Sequence, residues 1–393
     1  MSSIVDIDKT NCTGCAMCMN ICPHKCISMK PNAEGFLYPV INQKKCVECG
    51  ICVKNCPIIN ECEKKAPMEV YASQILDEIK LRQSSSGGVA ALFSEYVLNA
   101  GGVVYGCVYD KELRVCHERV SRISDLSRLF GSKYVQSDFS EVYCQLERDC
   151  ESGNLVAVIG TPCQIAGIRN FLKKEYENLI LIDLICHGVP SPELFKQYLI
   201  WKSEKMGGKI LSYNFRDKSA KGWGTVYRAV TATTNATSIA TLDPYYFSFI
   251  FAETYRESCY HCKYAKCERC GDITIGDYWG FDEQHPKTKM VVRNGISAVL
   301  VNTEKGQRYF HELKGMQYLI PSTLDKVMVR NSNLHHPVIR TSIRDTFYQN
   351  VASHGFQWAY KKLLREKRYY IDLAKSIIPQ SVKNRIKKLI GRK

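Results

Sequence analysis

Two cysteine runs near the N-terminus constrain this chain more than any other feature. They read Cys12-x2-Cys15-x2-Cys18-x3-Cys22-Pro23 and Cys46-x2-Cys49-x2-Cys52-x3-Cys56-Pro57. Three thiolates at this spacing wrap three corners of one 4Fe–4S cubane, and the fourth lies too far along the chain to reach the last corner. The fourth therefore serves the other cluster, and the proline after it turns the chain away. The spacing assigns Cys12, Cys15, Cys18 and Cys56 to cluster one, and Cys46, Cys49, Cys52 and Cys22 to cluster two. A pair of zinc sites would need two C-x2-C pairs per ion, with no third thiol at that spacing and no proline. Cys26 and Cys62 fall outside the pattern and read as small buried or surface residues.

The 20 cysteines in 393 residues are too sparse for a disulfide scaffold. The first residues, MSSIVDIDKTNC, lack the apolar core of a secretory signal, so a cytoplasmic location is expected. No uncharged apolar run approaches the ~18 residues of a membrane span, and the densest, 179–185, is interrupted by Asp183. In a reducing compartment clustered thiols are metal ligands more often than disulfides. The net charge of +15 is uneven: residues 356–393 hold 12 Lys/Arg against two acids. A near-neutral body with a basic tail is no generic polyanion binder, and no nucleic-acid partner is expected.

The pattern divides the chain into residues 1–60, a double-cluster ferredoxin-like module, and 61–70, a charged linker. Residues 71–256 follow as the first part of a larger body, 257–355 as its second part with a third cysteine cluster, and 356–393 as a basic helical tail. Apolar stretches at 103–108, 155–159 and 179–184 read as strands, and those at 89–98, 139–149, 165–174 and 192–205 as amphipathic helices. Their alternation predicts an α/β body, α+β overall once the ferredoxin-like module is counted.

Within the body, Ser84-Ser85-Ser86-Gly87-Gly88 precedes a helix, a setting that suits a phosphate. Gly160-Thr161-Pro162-Cys163-Gln164 and Cys186-His187-Gly188 each follow a strand. Ligands of α/β sheets sit at the carboxyl ends of strands, so two thiols are delivered to one sheet edge. No G-x-G-x-x-G follows any candidate strand, which gives no support to a Rossmann nicotinamide site.

Taken together, SSSGGVAALFSEYVLNAGGVVYGCVYD (84–110), GSKYVQSD (131–138), IGTPCQIAGIRNFL (159–172), DLICHGVPSP (183–192) and SCYHCKYAKCERCGDITIGDYWG (258–280) resemble the beta subunits of coenzyme F420 hydrogenases and dehydrogenases. The resemblance spans most of residues 71–330 and includes bacterial members with an N-terminal double-cluster module. It implies FAD and at least one further 4Fe–4S cluster near it. The flavin is expected against Ser84, Ser85, Ser86, Gly87, Gly88, Lys133, Gly160, Thr161, Pro162 and Gln164. Two ligand sets are open for the third cluster. One is Cys163, Cys186, Cys259 and Cys262; the other is local, Cys259, Cys262, Cys267 and Cys270, and could instead hold zinc. The first is preferred because it puts the cluster at the flavin edge of the sheet. Cys107, Cys116, Cys144 and Cys150 read as core packing. His187 could shuttle a proton beside Cys186, Asp277 and Trp279 could flank the cofactor, and no carboxylate pair marks an acid–base dyad.

The resemblance implies an iron–sulfur flavoprotein oxidoreductase, with hydride transfer to or from a deazaflavin or another small acceptor. The competing reading is an electron-transfer subunit without its own substrate that docks on a catalytic partner. Similar bacterial chains accompany surface-polysaccharide biosynthesis genes, which makes a glycan precursor a candidate substrate. In the tail, Val382, Ile386, Leu389 and Ile390 repeat at helical spacing while Lys383, Arg385, Lys387 and Lys388 occupy the other faces. Such a helix lies in the headgroup layer of an anionic membrane, each cation contributing about 1 kcal/mol. Peripheral association with the inner face of the cell membrane is expected. Full-length protein should co-sediment with anionic liposomes at low salt, be released by added salt, and lose the property when residues 380–393 are deleted.

Overall fold

The computed structural model describes residues 3–4, 7–364 and 367–377. The amphipathic segment at 380–393 lies outside the described residues. Among the described residues no helix is long and apolar enough to cross a membrane.

The N-terminal module consists of two short helices, α1 (Met17–Ile21) and α2 (Ile51–Lys54), and an antiparallel hairpin of β1 (Ile27–Pro31) and β2 (Leu37–Ile41). Each helix begins inside a cysteine run. The body is organised on an eight-stranded mixed sheet. Its strands are β3 (Glu69–Ile75), β4 (Val103–Tyr109), β5 (Val115–Val120), β6 (Val156–Gly160) and β7 (Leu179–Leu184), followed after an insertion by three more. The insertion carries a three-stranded antiparallel sheet of β8 (Ser212–Asn214), β9 (Val226–Val230) and β10 (Asn235–Ile239). The last three strands of the large sheet are β11 (Ile273–Asp277), β12 (Ser297–Val301) and β13 (Gln317–Pro321), giving the order β13-β3-β12-β11-β7-β6-β4-β5. Strands β4, β6, β7 and β11 run parallel, and antiparallel neighbours flank them on both sides.

The parallel centre follows from composition. VAVIG and LILIDL are apolar on both faces, as strands covered by helices on both sides must be. The helices around the sheet include α3 (Glu78–Gln83), α4 (Val89–Asn99), α5 (Tyr143–Glu151) and α6 (Pro162–Leu172); α7 (Pro192–Met206) and α8 (Pro244–Ile250) pack against the insertion. Here the core is aromatic, with Phe195, Tyr198, Tyr213, Phe215, Tyr245 and Tyr246 in mutual ring contact.

Two expected boundaries differ from the structure. The strip 61–70 is no free linker: Lys65 exchanges two backbone hydrogen bonds with Arg269, and β3 begins at Glu69. Nor does the tail begin at residue 356. Phe356, Ala359 and Tyr360 are buried against Tyr198 and Trp201, because apolar residues with helical spacing continue the core through the basic sequence. The stretches 71–256 and 257–355 share one sheet, since β11, β12 and β13 complete what β3 begins.

Asp183, the charge that interrupts the apolar run of β7, is fully buried and paired. It accepts hydrogen bonds from Arg269 Nη2 (2.9 Å), Thr274 Oγ1 (2.6 Å) and the Gly271 N–H (2.9 Å). Arg269 also donates to the carbonyls of Tyr264, Lys266 and Leu184. Removing one partner of such a pair strands the other charge at a cost of about 3–5 kcal/mol, whereas an apolar pair of similar volume can be tolerated. Asp183→Asn should therefore lower the denaturant midpoint markedly, and Asp183→Leu combined with Arg269→Met should cost less than Asp183→Asn alone. A wild-type midpoint for Asp183→Asn would contradict the anchoring role.

Candidate functional site

Both cysteine runs curl in the same way. Gly14 and Ala16 in the first, and Glu48 and Gly50 in the second, have left-handed backbone, with φ of 70°, 63°, 54° and 69°. Non-glycine residues enter that region at a cost of about 1–2 kcal/mol. Successive N–H groups in such turns form concavities that bind anions, iron–sulfur clusters among them. Cys15 and Cys18 are electrostatically coupled to Cys12 and Cys56, and Cys52 to Cys22. Thiols of the two runs thus lie near one another, with Cys18 and Cys56 also coupled to Cys52. Cys49 is exposed, with Val47 beside it also open to solvent. Cys26 is buried as expected, but against cluster-two thiols: its Sγ lies 3.4 Å from that of Cys22, and burial, then Cys22 and Cys46, push it up to about 12.

A cavity of about 550 Å³ opens at the carboxyl edge of the parallel strands. Strand ends and the loops that follow them form its walls: Ser84–Gly88 beyond β3, Cys107 on β4, Gly160–Gln164 after β6, Cys186–Val189 after β7, and Asp277 and Trp279 at the end of β11. It meets the N-terminal module at Thr13 and Gly14. Cys163, Cys186, Cys259 and Cys262 all line it and are coupled to one another. Burial first, with the neighbouring thiols adding, pushes Cys259 up to about 12 and raises Cys186; burial pushes Cys163 up to about 11. Four such thiols ionise together only with a cationic centre among them. Among the described residues, no three of His, Cys, Asp and Glu converge tightly enough for a single metal ion. That holds for the N-terminal runs as well, and a cubane differs in offering a separate iron to each thiolate.

The local alternative is not assembled. Cys267 faces the Glu268 carboxylate at 3.4 Å, and Cys270 is buried with its Sγ 3.5 Å from Cys62. Neither lines the cavity. Cys62 is therefore more than a small filler, since it ties the end of the N-terminal module to the third cysteine loop. Of the four cysteines expected in the core, Cys150 is buried, Cys107 borders the cavity, Cys116 is half-buried beside Glu118, and Cys144 is exposed.

The two helix N-termini at the cavity differ. At α6 the Thr161 N–H donates to Gln164 Oε1 (2.9 Å) in a capping box, and Gln164 Nε2 donates to Ser137 Oγ (2.9 Å). That end is satisfied by its own residues. At α4 the cap is Gly88, with φ 89° and no side-chain acceptor, leaving the N–H groups of Val89, Ala90 and Ala91 without helix partners at the cavity wall. The serines before it shape the loop: Ser84 Oγ donates to the Lys80 carbonyl and Ser86 Oγ to that of Ile296, both at 2.7 Å, while Ser85 Oγ accepts from the Ser132 N–H. Gly87 is required there, because a Cβ would come within 2.1 Å of the Ser73 carbonyl oxygen.

Several wall residues were not evident in the sequence. Arg216 makes two hydrogen bonds to Asp277 (2.7 and 3.0 Å), lies over the Trp279 ring, and accompanies a stacked Trp223–Trp279 pair at 4.7 Å. His187 lines the same region with its side chain open to solvent, its pKa lowered by the protein atoms crowded around it and by Arg216 against the opposing pull of Asp277. Buried polar atoms without partners also gather here: Thr13 Oγ1, His117 Nδ1, Arg256 Nη2 and Asn333 Oδ1 all belong to cavity-lining residues. Such atoms are rare in folded proteins and mark places where a ligand completes the bonding.

Comparison with known proteins fits this arrangement. Residues 153–327 match the family model for the C terminus of the coenzyme F420 hydrogenase/dehydrogenase beta chain, and residues 11–58 match the 4Fe–4S dicluster domain. The first match covers the middle of the body and the second the N-terminal module. It is 24% identical over 324 residues to the F component of the F420H2 dehydrogenase of Methanosarcina mazei, covering 76% of this chain and 81% of that one. It is 25% identical over 199 residues to the coenzyme F420-dependent sulfite reductase of Methanocaldococcus jannaschii, covering 49% of this chain but only 30% of that relative. One chain of the F420-reducing [NiFe] hydrogenase complex of Methanosarcina barkeri aligns in structure over 76% of this chain and 91% of its own, at TM-score 0.45 and 15% identity.

In this beta-subunit framework, Lys133 lines the cavity as its motif predicts, yet all three of its N–H donors are engaged. They go to the carbonyls of Cys107 (2.9 Å), Arg128 (3.2 Å) and Phe130 (2.9 Å), which leaves none for a phosphate. His117 on β5 is the buried imidazole of the wall. Its Nε2 sits 3.0 Å from the Ile159 carbonyl, which only accepts, so Nε2 carries the proton and Nδ1 is left as an acceptor. Burial lowers its pKa from 6.5 to about 4. The unfolded chain therefore binds more protons between those values, and the stability contributed by neutral His117 is lost as pH falls from 6.5 toward 4. His117→Gln should flatten the pH dependence of the unfolding midpoint in that window, and an unchanged slope would refute the assignment.

Proposed function

We propose that the chain is an iron–sulfur flavoprotein oxidoreductase. Electrons enter singly at the exposed end of the N-terminal module, pass inward through cluster one and a third cluster on Cys163, Cys186, Cys259 and Cys262, and meet FAD in the cavity. The observation that carries this reading is the cavity itself: one wall holds four coupled thiols, and another presents the uncapped N-terminus of α4 behind Ser84–Gly88. A flavin bound there supplies the exchange between a two-electron hydride and single-electron iron–sulfur centres. The cavity volume suits a cofactor of that size.

The residues of this chain have separate tasks. The N–H groups of Val89, Ala90 and Ala91, with the positive end of the α4 dipole, hold the cofactor's phosphates. Ser85 Oγ, which accepts from Ser132, still has its own O–H to donate. Gly160, Thr161, Pro162 and Gln164 shape the floor without spending donors on a ligand. His117 Nδ1 accepts a hydrogen bond from a polar edge of the ligand. Trp279 is fixed in the wall by stacking on Trp223, whose indole N–H donates to Asp277, and by Arg216 over its ring, and His187 takes or gives a proton at a ring nitrogen near the substrate. An ordinary imidazole is already mostly neutral near neutral pH, the state suited to accepting a proton, and the surrounding wall and Arg216 shift it further that way.

The substrate is proposed to be a deazaflavin or another small hydride acceptor, in a cytoplasmic setting. A second reading, an electron-transfer subunit that docks on a catalytic partner, is favoured by the M. mazei relative, whose name describes one component of a multi-subunit dehydrogenase. An acceptor screen on the isolated protein separates them, since turnover with a small acceptor alone requires the first.

Anaerobically reconstituted protein should hold about twelve irons per chain and release a yellow fluorophore on denaturation. Cys163→Ala or Cys186→Ala should remove about four irons and leave the N-terminal cluster signals intact. Loss of that iron from Cys267→Ala or Cys270→Ala instead would overturn the ligand set, and protein loaded with excess FAD that retains none would overturn the flavin.

A further inference from the structure

Arg256 is the largest fully buried side chain among the described residues. Its Nε donates to the Cys12 carbonyl (2.7 Å) and its Nη1 to Gln136 Oε1 (3.1 Å), and the guanidinium lies 4.0 Å above the Tyr38 ring. Gln136 in turn donates from Nε2 to the Thr13 carbonyl (3.1 Å), so the pair clamps the first cysteine loop from the cavity side. Nη2 is buried and has no partner. Among the described residues no carboxylate is in ion-pair contact with Arg256; the adjacent Glu257 is committed to Arg340 and Arg344.

A buried cation without a counter-charge is costly by several kcal/mol, and proteins keep one only where an anion offsets it. The anionic groups at hand are thiolates. Arg256 touches the loop of Cys12 and acts electrostatically on Cys163 and Cys259, lowering the pKa of both thiols against the larger upward effect of burial. Among the described residues its hydrogen bonds reach the first cysteine run, directly at the Cys12 carbonyl and by way of Gln136 at the Thr13 carbonyl, and none reaches the second run. The guanidinium therefore stands between two thiolate sets and faces both.

We infer that Arg256 is the shared counter-charge of cluster one and the cavity cluster, and that it raises the reduction potentials of both relative to cluster two. The cavity-cluster half of this inference rests on the reading in the preceding subsection. Reduction adds one electron and no proton to a thiolate-ligated cluster, so the reduced form is more negative and is favoured by a fixed neighbouring cation. Hydrogen bonds to cluster sulfurs act in the same direction, and Nη2 is the donor left to make one. The effect gives electrons arriving at the surface cluster a downhill path toward the cavity.

The test is a potentiometric titration followed by electron paramagnetic resonance on full-length, anaerobically reconstituted protein. Arg256→Gln should move two cluster signals to more negative potential and leave the third, that of cluster two, in place. Gln136→Glu keeps the Arg256 side chain but neutralises its charge, and should lower the same two signals. It decides the matter if Arg256→Gln fails to assemble. Potentials unmoved in the variants, or cluster two shifting as far as the others, would overturn the inference. Iron content tests the cavity cluster separately. About eight irons per chain would fail that reading while leaving the effect on cluster one measurable. About twelve irons with unmoved potentials would fail the role of Arg256 alone.

Discussion

A carboxylate in the middle of an apolar strand has to be paired, and the pairing of Asp183 with Arg269 brings the parts of this protein together. Arg269 lies at the end of the third cysteine loop, its guanidinium reaches Asp183 on the central strand β7, and its backbone pairs with Lys65 just after the N-terminal module. One buried ion pair thus fastens the N-terminal module, the loop of Cys259 and Cys262, and the strand that leads to Cys186. A buried pair of this kind adds little net stability compared with an apolar one, but it fixes which groups meet. Here the fixed geometry is that of cysteines drawn from three separate stretches of chain.

The cavity depends on the same arrangement. Parallel strands deliver the loops after them to one edge, which is where ligands of α/β sheets sit. The N-terminal module closes that edge from outside through Thr13, Gly14 and the Cys12 carbonyl held by Arg256. The cysteine-rich regions are brought near one another without a long connecting segment, because the module's last residues are already paired to the third cysteine loop. The insertion with its aromatic core contributes Arg216 and Phe249 to the opposite wall.

The two helix N-termini at this edge show how local chemistry divides tasks. Thr161 and Gln164 satisfy the start of α6 internally, so Cys163 is presented from a rigid first turn. Gly88 leaves the start of α4 unsatisfied. Both stretches looked alike as sequence, a group of small polar residues before a helix. Only the hydrogen bonds distinguish a self-capped end from one open to a ligand.

The sequence by itself determined the two N-terminal cysteine runs with 4Fe–4S spacing and the α/β character of the body. Ligand spacing is a local property, fixed by how few residues separate thiols on one loop, and the apolar runs of β6 and β7 mark buried parallel strands for the same local reason. It also placed Cys163 and Cys186 at one sheet edge, since both follow neighbouring strands directly. Tertiary structure decided the rest. Cys270 meets Cys62 across 208 residues, Arg256 meets Cys12 across 244, and the Arg216–Asp277 pair and His117 enter the cavity from unrelated segments. Lys133, prominent in its motif, spends its donors on main-chain carbonyls, two of them three and five residues back in its own loop and the third, that of Cys107, on β4. Sequence spacing is silent on such pairings because they are set by the order of strands in the sheet, and that order is fixed by packing across the whole chain.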